Sequence, residues 1–286
     1  MSQEHPLYSN RIERDYWATI DRATAKRMGQ VWTPYEVARF MAAWLEPVEG
    51  TILDPAVGTG VLLRALCDPR FEATERTLIG ADYDAAMIAR FEEFAEQLPA
   101  TVETRVGDGL VACKEESYDG LIMNPPSVGS GRIFDKEELL VELDRETGLR
   151  FSRSMNLYGI FMLRAALSLN VGGRAAILTP SAWLDASSGR RTKQFLLDRG
   201  LLRGLVLFDA QYEGVKQTTN SSIVLLAAEP HLPAPPVAFL ALDQSDELTA
   251  YEDELNKPDS ALRFGDLYEA SKLNPKSRWT DFFSAR

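Results

Sequence analysis

Short apolar segments alternate with longer amphipathic segments through the middle of the chain. Seven of the apolar segments have the length and composition of β-strands: 51–54, 77–82, 101–106, 118–124, 173–180, 203–209 and 221–228. Helical patterns such as GVLLRALC and DAAMIARFEEFAEQL lie between most of them. This alternation predicts an α/β fold with a doubly wound, mainly parallel sheet. No long helical pattern separates the last two strands, so we expect the seventh strand to be antiparallel.

The flanking segments differ from this central part. Segment 1–45 has helical patterning, and in PYEVARFMAAWLE the spacing predicts a helix with Thr33 as its cap and Pro34 as its first residue. The α/β domain is expected to run from 46 to 242 and to include a short further strand in PVAFLALD. Segment 243–286 is acidic and weakly patterned.

Composition excludes several classes of function. There is no run of about 18 apolar residues, so we expect no membrane span, and the polar N-terminus lacks the apolar stretch of a signal peptide. Cys67 and Cys113 have no ligand-like spacing, and the two histidines lie beside prolines in polar surroundings, which disfavours a zinc site or a histidine mechanism. The net charge of −11 argues against broad attraction to nucleic acid. We therefore expect a cytoplasmic protein.

The first strand leads into a glycine loop and a helix in TILDPAVGTGVLLRAL. Gly58 and Gly60 allow a tight turn and a close backbone approach to a ligand. The loop lacks both the dinucleotide pattern and the Gly-Lys-Ser/Thr of a phosphate loop. Its first residue, Asp54, would repel a phosphate and attract an amino group. The simpler alternative is a strand–helix turn capped by Asp54.

Two further acids follow the next two strands. Asp82 ends the second strand, where an acid suits ribose hydroxyls. Asp108 follows the third strand in GDG, where it could accept from an adenine amino group. Each acid alone is compatible with a solvated turn. Acids at the ends of three successive strands together indicate a pocket for a cationic adenosine, S-adenosylmethionine.

The fourth strand ends in Asn-Pro-Pro. The amide of Asn124 offers an acceptor oxygen and two donor hydrogens. Pro125 and Pro126 hold the backbone extended, which fixes the direction of the Pro125 carbonyl. The two oxygens could accept both hydrogens of an exocyclic amine and turn its lone pair towards a methyl donor. Positioning would then supply most of the catalysis.

The motifs DPAVGTG, IGADYD, GDG and NPPS, in this order, resemble those of S-adenosylmethionine-dependent adenine-N6 DNA methyltransferases. MGQVWTP resembles the additional cofactor motif of their gamma class, and the segment from 156 to 184 is similar to type I modification subunits and fused type II enzymes. The resemblance runs from about Gly29 to Ala228. It implies a class I methyltransferase (Rossmann-like) fold and site-specific DNA adenine methylation in restriction–modification or phage defence. RNA and protein N-methyltransferases also contain Asn-Pro-Pro, so these substrates stay open.

The resemblance also implies roles for individual residues. The segment with Gln30 and Thr33 would contact the methionine end of the cofactor, Asp82 the ribose and Asp108 the adenine amine. Phe161 would pack on the adenine ring, unless it is plain helix core. The expected cofactor-binding residues are Gln30, Thr33, Pro34, Asp54, Pro55, Ala56, Gly58, Gly60, Asp82, Asp108 and Phe161. The expected catalytic residues are Asn124, Pro125, Pro126 and Ser127.

Ser127 departs from the family, which usually has an aromatic ring at this position to stack on the flipped-out base. Such stacking contributes roughly 1–3 kcal/mol, and flipping costs a few kcal/mol. Tyr212 could supply the ring instead. Alternatively, the substrate needs no flipping, or the protein binds the cofactor and methylates weakly.

We also expect no complete target-recognition domain in this sequence, because the segment after Ala228 is short and acidic. We therefore expect DNA as a partner, together with a separate target-recognition or restriction subunit, unless the chain is an excised domain. The best phosphate-binding candidates are Arg150, Arg153, Arg190, Arg191 and Lys193, with solvated helix charges as the simpler alternative.

Overall fold

The computed structural model describes residues 5–20, 32–72, 75–127, 135–208, 220–229, 235–243 and 248–283. Within these ranges nine strands form one sheet, in the order β3-β2-β1-β4-β5-β7-β6-β8-β9. The strands are β1 (Gly50–Asp54), β2 (Arg76–Asp82), β3 (Thr101–Val106), β4 (Tyr118–Met123), β5 (Leu169–Pro180), β6 (Leu202–Phe208), β7 (Ser221–Ala227), β8 (Val237–Leu242) and β9 (Asp266–Tyr268).

The predicted sheet is confirmed in its pairing as well as in its strands. Strands β1 to β5 pair in parallel, and β7 lies antiparallel between β5 and β6. Two strands extend the sheet beyond these seven. The further strand predicted in PVAFLALD is β8, which pairs in parallel with β6, and β9, which was not predicted, pairs antiparallel with β8 at the edge of the sheet. The antiparallel β7 therefore lies inside the sheet.

Helices cover both faces of this sheet. They are α1 (Arg11–Thr19), α2 (Tyr35–Leu45), α3 (Val61–Ala65), α4 (Ala85–Ala95), α5 (Gly109–Glu115), α6 (Lys136–Thr147), α7 (Leu157–Ser168), α8 (Arg190–Asp198) and α9 (Thr249–Leu255). Helices α2, α3, α4 and α9 contribute to one apolar core, and α5 to α8 contribute to the other. No helix in the described ranges is long and apolar enough to span a membrane.

The start of α2 differs from the prediction. Pro34, not Thr33, is the N-cap residue, and no side chain caps the helix in the usual way. The N–H of Tyr35 instead donates to Asn10 Oδ1 at 2.7 Å. Thr33 does not cap the helix. Its hydroxyl instead accepts a hydrogen bond from Asn124, the residue after β4.

The acidic C-terminal segment is more ordered than its sequence pattern indicates. It contributes α9 and β9, and Trp279 is fully buried. Lys193 is buried in this contact, so the prediction that it binds phosphate and the alternative that it is a solvated helix charge are both wrong. Its ammonium donates to the carbonyls of Leu184 and Ser277, both at 2.8 Å.

Candidate functional site

A cavity of about 570 Å³ lies at the carboxyl ends of β1, β2, β3 and β4. Successive strands are added to one side of β1 up to β3 and to the other side from β4 onwards, so the strand order reverses between β1 and β4. This is where open α/β sheets bind ligands. Its lining includes all three predicted acids, the glycine loop and Asn124. The structure thus brings together residues that lie up to about 70 positions apart, as the sequence predicts from the strand ends.

The glycine loop depends on its glycines for two reasons. Gly58 and Gly60 have φ values of 53° and 78°, a region that side chains disfavour. A Cβ on Gly60 would also lie 2.1 Å from Phe91, whereas one on Gly58 would meet nothing within 4 Å. Gly60 is therefore required for packing, and Gly58 for the turn at the cavity.

Asp54 is fully buried at the end of β1. One carboxylate oxygen accepts the N–H of Ala56 at 3.0 Å, and the other has no hydrogen-bond partner among the described residues. Burial raises the pKa of Asp54 well above its usual value, and the nearby Asp82 raises it further. An uncompensated buried carboxylate favours a cationic partner.

Asp82 joins β2 to the glycine loop. Its two oxygens accept the N–H groups of Gly58 and Asp84, both at 2.9 Å. Burial raises the pKa of Asp82, although both hydrogen bonds lower it. The carboxylate holds the loop in place and retains acceptor capacity towards the cavity.

Asp108 combines a structural position with a place in the lining. It is the N-cap of α5 and accepts the N–H of Leu110 at 2.9 Å. The following Gly109 packs so closely against the glycine loop that a Cβ would lie 1.9 Å from the Pro55 carbonyl oxygen. This contact packs the residues after β3 directly against the loop after β1, beside the cavity.

Asn124 follows β4 and is half-buried. Its amide nitrogen donates to Thr33 Oγ1 at 2.8 Å. Pro126 lines the cavity together with Asn124. Ser127 is exposed and lies outside the lining, so it offers the cavity no stacking surface.

Helix α1 and the residue before Thr33 form a roof that the sequence analysis missed. Tyr16, Trp17 and Trp32 line the cavity. Trp17 and Trp32 stack, with ring centroids 6.4 Å apart and an interplanar angle of 26°. The helical spacing of Ile12 and Tyr16 marks the buried face of α1, but nothing in it indicates what that face covers.

Glu13 fastens this roof to the glycine loop. One of its oxygens accepts from Thr59 Oγ1 at 2.7 Å and from the guanidinium of Arg64. Arg64 also donates to the Leu7 carbonyl at 2.6 Å. All of these side chains are buried. The available signal in the sequence was an acid beside Ile12 on the buried face of an amphipathic helix.

The remaining predicted site residues differ in their relation to the cavity. Phe161 on α7 is 4 % exposed and both lines the cavity and belongs to the apolar core, so the two interpretations of it are compatible. Pro34 is buried outside the lining, whereas Pro55 and Ala56 are part of it. Gln30 and Tyr212 lie outside the described residues.

Among the other basic candidates, Arg153 is exposed and pairs with Glu137 at 3.2 Å. Arg150 is exposed, and Arg190 and Arg191 are half-buried.

The lining of the cavity combines three acids, several aromatic rings and the amide of Asn124. This arrangement suits a ligand with positive charge and a flat ring.

The sequence matches the family model described as N-6 DNA Methylase over residues 17–277. It is 26 % identical over 282 residues to the type II methyltransferase M.AccI of Acinetobacter calcoaceticus. That alignment covers 98 % of this chain and 51 % of the relative, so the chain spans about half the length of that protein.

Two solved structures share the fold. One is the methyltransferase subunit of a type I restriction–modification system from Streptococcus thermophilus, with a TM-score of 0.70, 15 % identity and coverage of 97 % of this chain and 71 % of that one. The other is a Listeria monocytogenes protein described as a class I S-adenosylmethionine-dependent methyltransferase, with a TM-score of 0.67, 21 % identity and coverage of 86 % and 76 %. At these identities the likeness establishes the fold.

Proposed function

Because the chain belongs to the N-6 DNA methylase family, we propose that it transfers a methyl group from S-adenosylmethionine to the N6 of adenine in DNA. The observation that carries this proposal is the position of Asn124. Asn124 lines the same cavity as Asp54, Asp82 and Asp108. A methyl acceptor at the amide would therefore meet a donor held by the acids.

The residues present fit the cofactor. The buried, unpartnered oxygen of Asp54 suits the ammonium group of the methionine moiety, and the loop with Gly58 leaves room for its backbone. Asp82 would take the ribose hydroxyls and Asp108 the adenine amine, with Phe161 against the ring. When bound, S-adenosylmethionine supplies a methyl group on a sulfonium that is already a good leaving group.

Asn124 and Pro125 would act on the target amine. The Asn124 oxygen and the Pro125 carbonyl each accept one hydrogen of the exocyclic amine, which turns the nitrogen lone pair out of the ring plane. The amine nitrogen would take up the methyl group that bound S-adenosylmethionine supplies, S-adenosylhomocysteine would be the leaving group, and the excess proton would go to solvent. No protein nucleophile is required, because the two acceptors only orient the amine.

The proposal of further partners is supported by the lengths and descriptions of the similar proteins. The type II relative is about twice as long as this chain, and one structural neighbour is a subunit of a type I restriction–modification system. We propose that sequence recognition comes from a further region or from a separate subunit, and that the reaction takes place on DNA in the cytoplasm as part of restriction–modification.

The test is methyl transfer from tritiated S-adenosylmethionine to unmethylated plasmid DNA, with RNA and a mixed protein extract as competing substrates. We expect label in DNA alone, recovered as N6-methyladenine after digestion. Asn124→Ala should abolish transfer and leave the cofactor affinity, measured by calorimetry, close to that of the wild type. Label in RNA or protein would reject DNA as the substrate.

One observation favours a second candidate, a weakly active subunit that binds the cofactor. Ser127 is exposed and provides no ring beside Asn124. Calorimetric cofactor binding without transfer to any DNA, including DNA supplied with the products of neighbouring genes, would support this candidate over the first.

A further inference from the structure

We infer that Thr33 is a positioning residue, which restrains the Asn124 side-chain amide in an orientation that leaves its oxygen free for the target amine. This inference rests on the proposed function and deepens it. It also gives the Thr33 hydroxyl a different task from contact with the cofactor.

The orientation of this amide decides whether the site can work. A carboxamide has nearly the same shape when it is turned by 180°, but its acceptor and its two donors then exchange places. An exocyclic amine needs acceptors. If the Asn124 nitrogen faced the amine, two donors would oppose each other, and the lone pair would not be turned towards the methyl group.

Thr33 supplies a contact that restrains the amide. Its Oγ1 accepts from Asn124 Nδ2 at 2.8 Å, and Thr33 is only 4 % exposed. In this orientation the hydrogen bond occupies the amide nitrogen and leaves the carbonyl oxygen on the opposite side. Water competes poorly for a buried contact of this kind, so the amide stays restrained.

Both partners have backbones that can barely move. Thr33 precedes Pro34, and Asn124 precedes Pro125; a residue before proline is restricted to extended conformations. Pro34 itself is extended, at φ −62° and ψ 146°, and passes directly into α2. The side-chain torsions of Asn124 are therefore the main remaining freedom, and the hydrogen bond to Thr33 restrains them.

The position of Thr33 is fixed independently of Asn124. Directly after Pro34, the N–H of Tyr35 donates to Asn10 Oδ1 at 2.7 Å, and the Tyr35 hydroxyl donates to Asp68 at 2.9 Å. Asn10 also bonds Glu36. The start of α2 is thus held at three points, so Thr33 can act as a fixed reference for the amide.

The experiment compares Thr33→Val, which keeps the shape and removes the hydroxyl, with Thr33→Ser, which keeps the hydroxyl. We expect Thr33→Val to lower kcat for DNA methylation about tenfold, the effect of losing one ordinary hydrogen bond. Cofactor affinity and melting temperature should stay close to those of the wild type, and Thr33→Ser should retain most of the rate.

A second readout is independent of catalysis. The side-chain NH₂ signals of Asn124, identified by their loss in Asn124→Ala, are followed in ¹⁵N-labelled full-length protein. In the wild type and in Thr33→Ser, one NH₂ proton should show slowed exchange with solvent. In Thr33→Val that protection should be lost.

The results separate this inference from the proposed function. If the wild type methylates DNA and Thr33→Val does so at the same rate, or if Thr33→Val loses cofactor affinity in proportion to its rate, the positioning role is wrong and the proposed function stands. If the wild type methylates no DNA although Asn124 shows the protected proton, the proposed function is wrong, and the positioning role is overturned with it.

Discussion

Replacing Glu13 with alanine tests whether a buried ion pair fixes α1 to the glycine loop. The side chains of Glu13 and Arg64 are 2 % and 0 % exposed. In Glu13→Ala the guanidinium keeps the Leu7 carbonyl as an acceptor but loses its counter-charge, and the Thr59 hydroxyl loses its acceptor. Removing one partner of a buried pair costs about 3–5 kcal/mol. At roughly 2 °C per kcal/mol for a chain of this size, the melting temperature should fall by about 6–10 °C.

The assay is thermal unfolding followed by circular dichroism, with S-adenosylmethionine affinity measured by calorimetry at a temperature where the variant is folded. The affinity for S-adenosylmethionine should fall as well, because Trp17 on α1 and Thr59 both line the cavity. The matched control is Glu137→Ala. Glu137 pairs with Arg153 at 3.2 Å, but the two side chains are 73 % and 82 % exposed, so this change should cost no more than about 0.5 kcal/mol.

A double variant tests whether the loss of stability in Glu13→Ala comes from the unpaired charge of Arg64. Glu13→Leu combined with Arg64→Met replaces the pair by apolar side chains, which is often close to neutral for stability. It should therefore melt well above Glu13→Ala while retaining the weaker cofactor affinity. A Glu13→Ala protein that melts with the wild type, or a double variant that melts as low as the single one, would refute this account of the contact.

Three further outcomes are expected. Because burial raises the pKa of Asp54 and an ammonium partner favours its ionised form, cofactor affinity should fall as pH drops through that raised pKa; calorimetry in buffers of different ionisation enthalpy should detect proton release on binding, and Asp54→Asn should remove it. Ser127→Tyr should raise kcat/KM for DNA about tenfold if stacking is limiting, as measured by single-turnover methylation; an unchanged rate contradicts this. Lys193→Met leaves the Leu184 and Ser277 carbonyls without their donor and should cost about 1–3 kcal/mol, with faster hydrogen exchange in 270–283; exchange at the wild-type rate would show that Lys193 does not hold this segment.

The parallel part of the fold could be predicted because its signals are local. In 50–66, for example, a strand, a turn with positive-φ glycines and a helix follow one another within a few residues. Because β1, β2 and β3 are parallel, the acids Asp54, Asp82 and Asp108 near their carboxyl ends are expected at one edge of the sheet. This expectation requires no knowledge of their contacts. The acids, the loop and Asn124 were found for this reason.

The contacts that complete the site are long-range, and periodicity gives no information about them. Glu13 meets Arg64, and Thr33 meets Asn124, across 51 and 91 positions. Thr33 was assigned to a helix cap because its neighbourhood has the pattern of a cap. Lys193 was assigned to a surface because of its charge, although it lies three positions before the buried Leu196 on α8 and therefore on the same face.

Asp108 shows that capping a helix and lining the cavity are compatible roles for one side chain. The carboxylate of Asp108 accepts the N–H of Leu110 at the start of α5, yet the residue lines the cavity and is exposed to it. Since a carboxylate has acceptor sites for several donors, one side chain can fix the backbone and still receive a ligand. Asp108→Asn keeps an oxygen for the cap and removes the charge, so the protein should melt close to the wild type and bind the cofactor less tightly. Asp108→Ala removes both functions, and it should lower the melting temperature as well, because a lost N-cap costs about 1 kcal/mol. Equal melting temperatures for the two variants would show that the cap contributes nothing, and equal affinities for Asp108→Asn and the wild type would exclude Asp108 from the site.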